Sequence, residues 1–372
     1  MKKNLLLLLF TLVFLFILGE VGARLWAKFK NPVSTVPDKV RYTYYPYLPY
    51  VPTPNYRDAT KSIYHNSRGF RNSYEFINPK PANVYRIVCL GGSTTYSDYD
   101  NASNQEIWTG RLEYYLNKSS SFIKFEVINA SAHNYTAYLN LIDYLTRVRD
   151  LQVNMVILYQ GVNDLYFNGF DNVNFAHSNA FVSFNPDHVN KIYSRMNHNF
   201  FLKHSELLKR MYAMIFFHGL TLNEMATKNV HYFSANNINN IKNDSLITFS
   251  KAIEGFIGLS HVDNFQLVLL SQAYQYEKLE KAVLKYNPSF TKQTIDDLIN
   301  ETKRIRDKME IIAKKNKIPF LDMNEILKQN QELFYKNPLD EIHFSKKGED
   351  YFALNLYDFI KPLIGSSKDL DY

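Results

Sequence analysis

From residue 85 onward, short, mostly apolar runs alternate with longer stretches in which apolar residues recur every three or four positions. The runs are Tyr85 to Leu90, Phe125 to Ile128, Met155 to Tyr159, Gln266 to Leu270 and the short Pro319 to Leu321. Runs without polar alternation predict strands buried on both faces, as in a parallel sheet. Between them, Ile107 to Leu116, Tyr138 to Val148 and a long polar segment, Asp296 to Lys314, read as helices. A last helix is predicted after Ser345, a favourable N-cap, with Tyr351, Leu354, Tyr357 and Ile360 at helical spacing. This alternation predicts an α/β architecture: a central parallel five-stranded sheet covered by helices on both faces.

The interval between the third and fourth strands, about 166–263, is far longer than a crossover connection, so an insertion with its own structure is expected there. Within it, Phe200 to Phe217 mixes Leu207, Leu208, Met211, Ile215 and Phe216 with Lys203, Lys209 and Arg210, as one amphipathic helix would. Those charges interrupt any second membrane span. A cap over the functional site and a solvated decoration both remain open for the insertion.

The N-terminus has a different pattern. Lys2 and Lys3 precede Leu5 to Gly19, an uncharged run in which Thr11 is the only polar side chain. A helix continued to Trp26 would reach about 33 Å at about 1.5 Å per residue, enough to cross a bilayer. Glu20 and Arg24 then share a helix face, and Trp26 falls where an interfacial aromatic belongs. The competing reading is a signal segment cut after Val21-Gly22-Ala23. In either case the remainder is expected on the extracytoplasmic side of the cell membrane, although Lys28 and Lys30 blur the charge asymmetry. The expected organisation is an anchor or signal over 1–26, a Tyr- and Pro-rich stalk and lead-in over 27–80, one catalytic domain over 81–365 and a tail over 366–372.

Composition narrows the partners. The 372 residues carry 43 Lys and Arg against 36 Asp and Glu, a formal net charge of +7. The basic residues are scattered, with no nucleic-acid motif, so an anionic surface such as lipid headgroups or acidic glycans fits better than nucleic acid. The single cysteine, Cys89, lies inside the first apolar run and reads as a core residue, which excludes an intrachain disulfide.

Candidate chemistry follows three of the predicted strands and precedes the last helix. Gly91-Gly92-Ser93-Thr94 follows the first strand, placing a serine where parallel sheets hold ligands. Asn129 to Thr136, a turn-forming run, follows the second. Gly161-Val162-Asn163-Asp164 follows the third, and the Asn163 amide is a possible oxyanion donor. Asp340-Glu341-Ile342-His343 precedes the last helix. There Asp340 can orient the His343 imidazole while its other ring nitrogen takes a proton from Ser93. Each block alone is a common turn or cap, and the Asp-x-x-His pair has no companion histidines that would favour a metal site.

Taken together, and in this order, the blocks resemble the SGNH, or GDSL-type, hydrolase superfamily over roughly 85–360 with the insertion excepted. The resemblance implies a flavodoxin-like three-layer α/β/α sandwich and ester hydrolysis or acyl transfer without a cofactor or metal. It assigns Ser93, Asp340 and His343 to catalysis and Ser93, Asn134 and Asn163 to an oxyanion hole. Gly92 stands where that family has Asp, a side chain the reaction does not need. Asn134 stands where it has Gly, and Asn tolerates positive φ better than other non-glycine residues. The tethered form is similar to members that remove or transfer O-acetyl groups on cell-surface polysaccharides. Three other expectations stay open beside the esterase: an O-acetyltransferase using the same triad, a non-catalytic tethered glycan-binding protein, and a lipase with an apolar groove under the insertion.

Overall fold

A computed structural model describes residues 2–30, 41–58, 63–100, 102–168, 199–217, 235–286, 291–328, 330–337 and 339–365. The chain forms two compact units, Met1–Tyr44 with Ser183–Val230, and Tyr45–Val182 with His231–Tyr372.

The first unit contains α1 (Lys2–Lys30), whose stretch Lys3–Leu25 is long and apolar enough to cross a membrane, as a signal sequence also is. From the insertion it holds two short helices, Phe200–His204 and Glu206–Phe217, where the sequence pattern predicts one. The break falls at Ser205, whose hydroxyl accepts the Leu208 N–H at 3.1 Å and so caps the second helix.

The second unit is built on five parallel strands, β1 (Val84–Gly91), β2 (Lys124–Asn129), β3 (Met155–Gln160), β4 (Gln266–Ser271) and β5 (Phe320–Leu321), in the order β2-β1-β3-β4-β5. The expected strands therefore form, each within two residues of its predicted bounds. Their side chains alternate between two apolar layers, as a two-residue period requires. Tyr85, Ile87 and Cys89 of β1 pack with Trp108 and Leu112 of α3 (Trp108–Ser119) and with Phe352 and Leu356 of the last helix, α12 (Lys346–Gly365). Val88 and Leu90 face the opposite layer, with Phe256 of α8 (Ala235–Val262), Met309 of α10 (Lys292–Asn316) and Ala137 of α4 (Ala137–Asp143). The sandwich thus has three layers, and the helices α8, α9 (Tyr276–Tyr286) and α10 supply most of the described crossover structure after β3. Positions 169–198 and 218–234 of the predicted insertion lie outside the described residues.

Two helix predictions need correction. Helix α10 begins at Lys292, because Thr291 accepts the Thr294 N–H at 3.2 Å and caps it earlier than the apolar pattern suggests. In α12 the cap at Ser345 is as expected, with its hydroxyl accepting the Gly348 N–H at 3.2 Å. Its inner face, however, is Phe352, Ala353, Leu356, Ile360 and Ile364, whereas Tyr351 and Leu354 are 42% and 39% exposed. Successive steps of three residues rotate about 60° backwards around a helix, so the series that begins at Tyr351 on the outer face reaches the core face only at Ile360.

At the amino ends of the strands, opposite the candidate chemistry, the β1 run contains a buried charge. Arg86 pairs with Glu126 on β2 at 2.7 Å, the two side chains being 0% and 2% exposed. Arg86 also donates to the Leu151 carbonyl at 2.6 Å and the Ile77 carbonyl at 3.0 Å, so its guanidinium is fully engaged in joining β1 to the connections beneath the sheet. Removing one partner of such a pair leaves an uncompensated buried charge. Glu126→Leu is expected to destabilise the protein by about 3–5 kcal/mol, measured by urea denaturation.

Candidate active site

Ser93 opens α2 (Ser93–Tyr96) directly after β1, with Gly92 as its N-cap. The turn has no spare volume. A methyl group at Gly91 would lie 2.0 Å from Thr95 Oγ1 and 2.9 Å from the Tyr159 carbonyl oxygen. One at Gly92 would lie 2.3 Å from Asn163 Nδ2. Gly92 is therefore the condition for Asn163 to approach the serine turn, a coupling that the sequence does not reveal.

The Asp340–His343 segment comes to the same place from 250 residues away. His343 Nε2 lies 2.8 Å from Ser93 Oγ, and Nδ1 lies 2.8 and 3.0 Å from the two Asp340 oxygens. The carboxylate also accepts the His343 backbone N–H at 3.0 Å and that of Ile342 at 3.4 Å, so it caps its own turn. Burial pushes the Asp340 pKa up, but the charge of His343 and these hydrogen bonds outweigh it and hold the carboxyl below its usual range. An ionised Asp340 assigns the Nδ1 proton to the shared hydrogen bond and leaves Nε2 to accept from the serine hydroxyl. The turn is stapled in place on its other side, where Tyr335 N–H donates to the His343 carbonyl at 2.8 Å and Ser345 N–H to the Leu333 carbonyl at 2.9 Å.

The second and third blocks meet at one carbonyl. Tyr135 C=O accepts from Asn163 Nδ2 at 2.9 Å and from Gln160 Nε2 at 2.8 Å, and it lies 3.4 Å from the methyl position at Gly92. One Asn163 N–H is thereby committed to fixing the plane of the amide beside the serine turn. Asp164, next in chain, accepts the Ala137 N–H at 3.0 Å and ties α5 (Val162–Asn168) to the start of α4. Asn134 adopts φ 61°, the left-handed conformation that glycine favours, and its side chain hydrogen-bonds the Tyr50 hydroxyl. Ser93, His343 and Asp340 are thus in direct contact. Asn163 reaches them through the Gly92 turn, and Asn134 is joined to the cluster through Tyr135.

Tyr99 is the residue that pattern reading misses. Its ring stacks on His343 with centroids 3.5 Å apart and planes 21° apart, and it meets Tyr335 edge-on at 5.7 Å. The loop carrying it is bracketed by left-handed residues, Ser97 at φ 59° and Asp100 at φ 54°. Its anchors are hydrogen bonds from Arg71 to the Ser97 carbonyl at 2.6 Å and from Lys346 N–H to Asp100 at 3.0 Å. Its only signal in the sequence is its position six residues after Ser93, in the loop leaving the serine turn; no periodicity marks it. Among the described residues no group of three His, Cys, Asp or Glu side chains is arranged to hold a metal ion.

Behind the site lies a buried carboxyl, Glu349 of α12, which bonds the Ser97 hydroxyl and accepts the Trp108 N–H at 2.7 Å. Burial raises its pKa to about 7 despite the hydrogen bonds from Ser97 and Trp108 that pull it down. Burial likewise raises Asp164 to about 7 against its hydrogen bond from Ala137.

No protein-family model and no curated protein matches the chain. Solved structures do match. They include a lipase/acylhydrolase from Enterococcus faecalis, at 13% identity over 75% of this chain and 96% of that one, TM-score 0.39. A GDSL-like lipase from Bacteroides thetaiotaomicron matches at 15% identity over 75% and 87%, TM-score 0.36. An acetylxylan esterase from Geobacillus stearothermophilus matches at 12% identity over 74% and 94%, TM-score 0.41. Likeness at this level identifies neither reaction nor substrate, so the chemistry is read from the side chains themselves.

Two outcomes follow from this geometry. Gly92→Ala is expected to displace the Asn163 amide and lower the rate of Ser93 labelling by a fluorophosphonate at least tenfold, while thermal unfolding shifts by only about 1–2 kcal/mol. For Glu349 and Asp164 the folded pKa of about 7 lies above the unfolded value, so the folded state holds the proton more tightly. The contribution of these two groups to stability is then full below about pH 4 and is lost as pH rises towards about 7; Glu349→Gln should remove about half of that contribution in unfolding measured at stepped pH.

Proposed function

We propose that this chain is a membrane-anchored serine esterase of the SGNH type, acting on a small acyl ester, an O-acetyl group, of a cell-surface carbohydrate. The observation that carries the reading is the 2.8 Å contact between Ser93 Oγ and His343 Nε2, with Nδ1 held by an ionised Asp340. Nucleophile, base and orienting carboxylate are each within hydrogen-bond reach of the next.

In this reading Ser93 Oγ attacks the ester carbonyl and His343 takes its proton. The tetrahedral oxyanion is held by the Ser93 N–H, the Asn134 N–H and the second N–H of the Asn163 amide. Collapse returns the proton from His343 to the leaving alcohol oxygen, leaving an acyl-Ser93 ester. Water, activated by the same imidazole, then attacks that ester and frees the carboxylate product. Ser93 is 6% exposed and Tyr99 covers a face of the imidazole, an enclosure that favours a compact acyl group. The anchor supports a location on the extracytoplasmic side, where surface carbohydrates are found. A transferase would share every step up to the acyl-enzyme and differ only in the attacking hydroxyl. The hydrogen-bonded triad speaks against a purely glycan-binding role.

Release of p-nitrophenol from its acetate ester by the full chain is the test. Ser93→Ala should abolish turnover and fluorophosphonate labelling, and Asn163→Ala should reduce turnover by about 10²–10³. Unchanged turnover in Ser93→Ala would remove the serine mechanism. Labelling at Ser93 without hydrolysis would instead select the transferase.

A further inference from the structure

The apolar helix α1 and the insertion meet at a charged clamp that neither a cleavable leader nor a solvated loop requires. Along α1 the large apolar residues from Leu5 to Leu18 are exposed, but Gly19, Glu20 and Ala23 are half-buried. Protein contact thus begins where the uncharged run ends. Glu20 accepts four hydrogen bonds there. Three come from the start of the helix Glu206–Phe217, here α7: Ser205 Oγ at 2.7 Å, Glu206 N–H at 3.0 Å and Leu207 N–H at 2.9 Å. The fourth comes from Arg24 Nε at 2.7 Å, and the same guanidinium donates through Nη2 to the His204 carbonyl at 2.8 Å. His204 ends the short helix Phe200–His204, here α6.

The chemistry of the two ends is complementary. The first N–H groups of a helix have no partner within it and favour an anion, whereas the last carbonyls favour a cation. Glu20 supplies the anion to α7, and Arg24 the cation to α6. Four residues apart on α1, the pair thus holds both sides of the break at Ser205. Close approach is possible because position 19 is glycine: a methyl group there would lie 2.9 Å from Leu207 Cδ2.

The position of the clamp along α1 fixes its surroundings. Hydrocarbon about 30 Å thick takes up about 20 helical residues. Counted from Leu5, that brings Arg24 to the far boundary and Glu20 about one turn inside it, where charged groups in a span are expected to be paired. The helix bound to them presents Phe200 and Phe201, each 70% exposed and in ring contact at 5.8 Å. Aromatic rings on the short helix whose last carbonyl Arg24 holds match the headgroup layer of a bilayer.

We infer that α1 is a retained anchor whose Glu20–Arg24 clamp docks the α6–α7 segment of the insertion at the membrane boundary, with Phe200 and Phe201 entering the lipid interface. This does not depend on the esterase reading. Cleavage after Ala23 would separate Glu20 from Arg24 and discard the cap of α7.

The test uses the full chain in its own membrane and in phosphatidylcholine vesicles. Cys89 is buried and its thiol pKa is pushed up by burial, so added cysteines report without interference. Gly19→Cys with Leu207→Cys should form a disulfide on oxidation, detected in tryptic peptides. Adding Glu20→Ala should lower its yield about fivefold or more. A fluorophore on Phe201→Cys should be quenched by brominated lipids. A mature chain beginning after Ala23, or no cross-link in the folded protein, would overturn the clamp. A cross-link without lipid quenching would overturn the interfacial placement.

Discussion

The site depends on the absence of side chains at Gly91 and Gly92. A parallel strand must turn sharply into a helix to lift Ser93 above the sheet edge, and this turn is pressed between Thr95, the Tyr159 carbonyl and the Asn163 amide with no room for a methyl group. Because packing in such a place is dense, a single added carbon has to move a neighbour, and the neighbour is an oxyanion candidate. Glycine in place of the acidic residue of the resembled motif is therefore a steric condition of this site, since it sets how near the third block comes to Ser93.

Around that turn, each functional side chain is held by backbone rather than by other exposed side chains. Asp340 caps its own turn through the Ile342 and His343 N–H groups, and Asn163 is fixed by the Tyr135 carbonyl. Backbone partners in a buried setting allow less rotation than pairs of long side chains, which is what preorganisation for proton transfer requires. Tyr99 adds an aromatic face to the imidazole, and its loop is held by Arg71 and Lys346 rather than by its own sequence preference. The buried Glu349 connects this loop to α3 and α12, so the support of the serine turn is also a source of pH sensitivity.

The unit that carries the apolar helix follows the same logic. Glu20 and Arg24 would be unfavourable at the end of an apolar span if left alone, and they are matched there to the unsatisfied ends of two helices.

The sequence by itself determined the layers. Mostly apolar runs set out the five strands, and turn-forming blocks following three of them, with Asp-x-x-His before the last helix, marked the candidate site, because strand burial and turn chemistry are local properties of residue type. It also determined the Glu20–Arg24 pair, whose spacing is a helix property. Only the tertiary structure decided what depends on contacts across the chain. Ser93 and His343 are 250 residues apart, Tyr99 carries no periodic signal, and Arg86 and Glu126 lie in separate runs that only the sheet brings together. The same holds for the inner face of α12 and the break at Ser205. Each was set by partners, Leu333 and Trp108 for the first and Glu20 for the second, that no window of neighbouring residues contains.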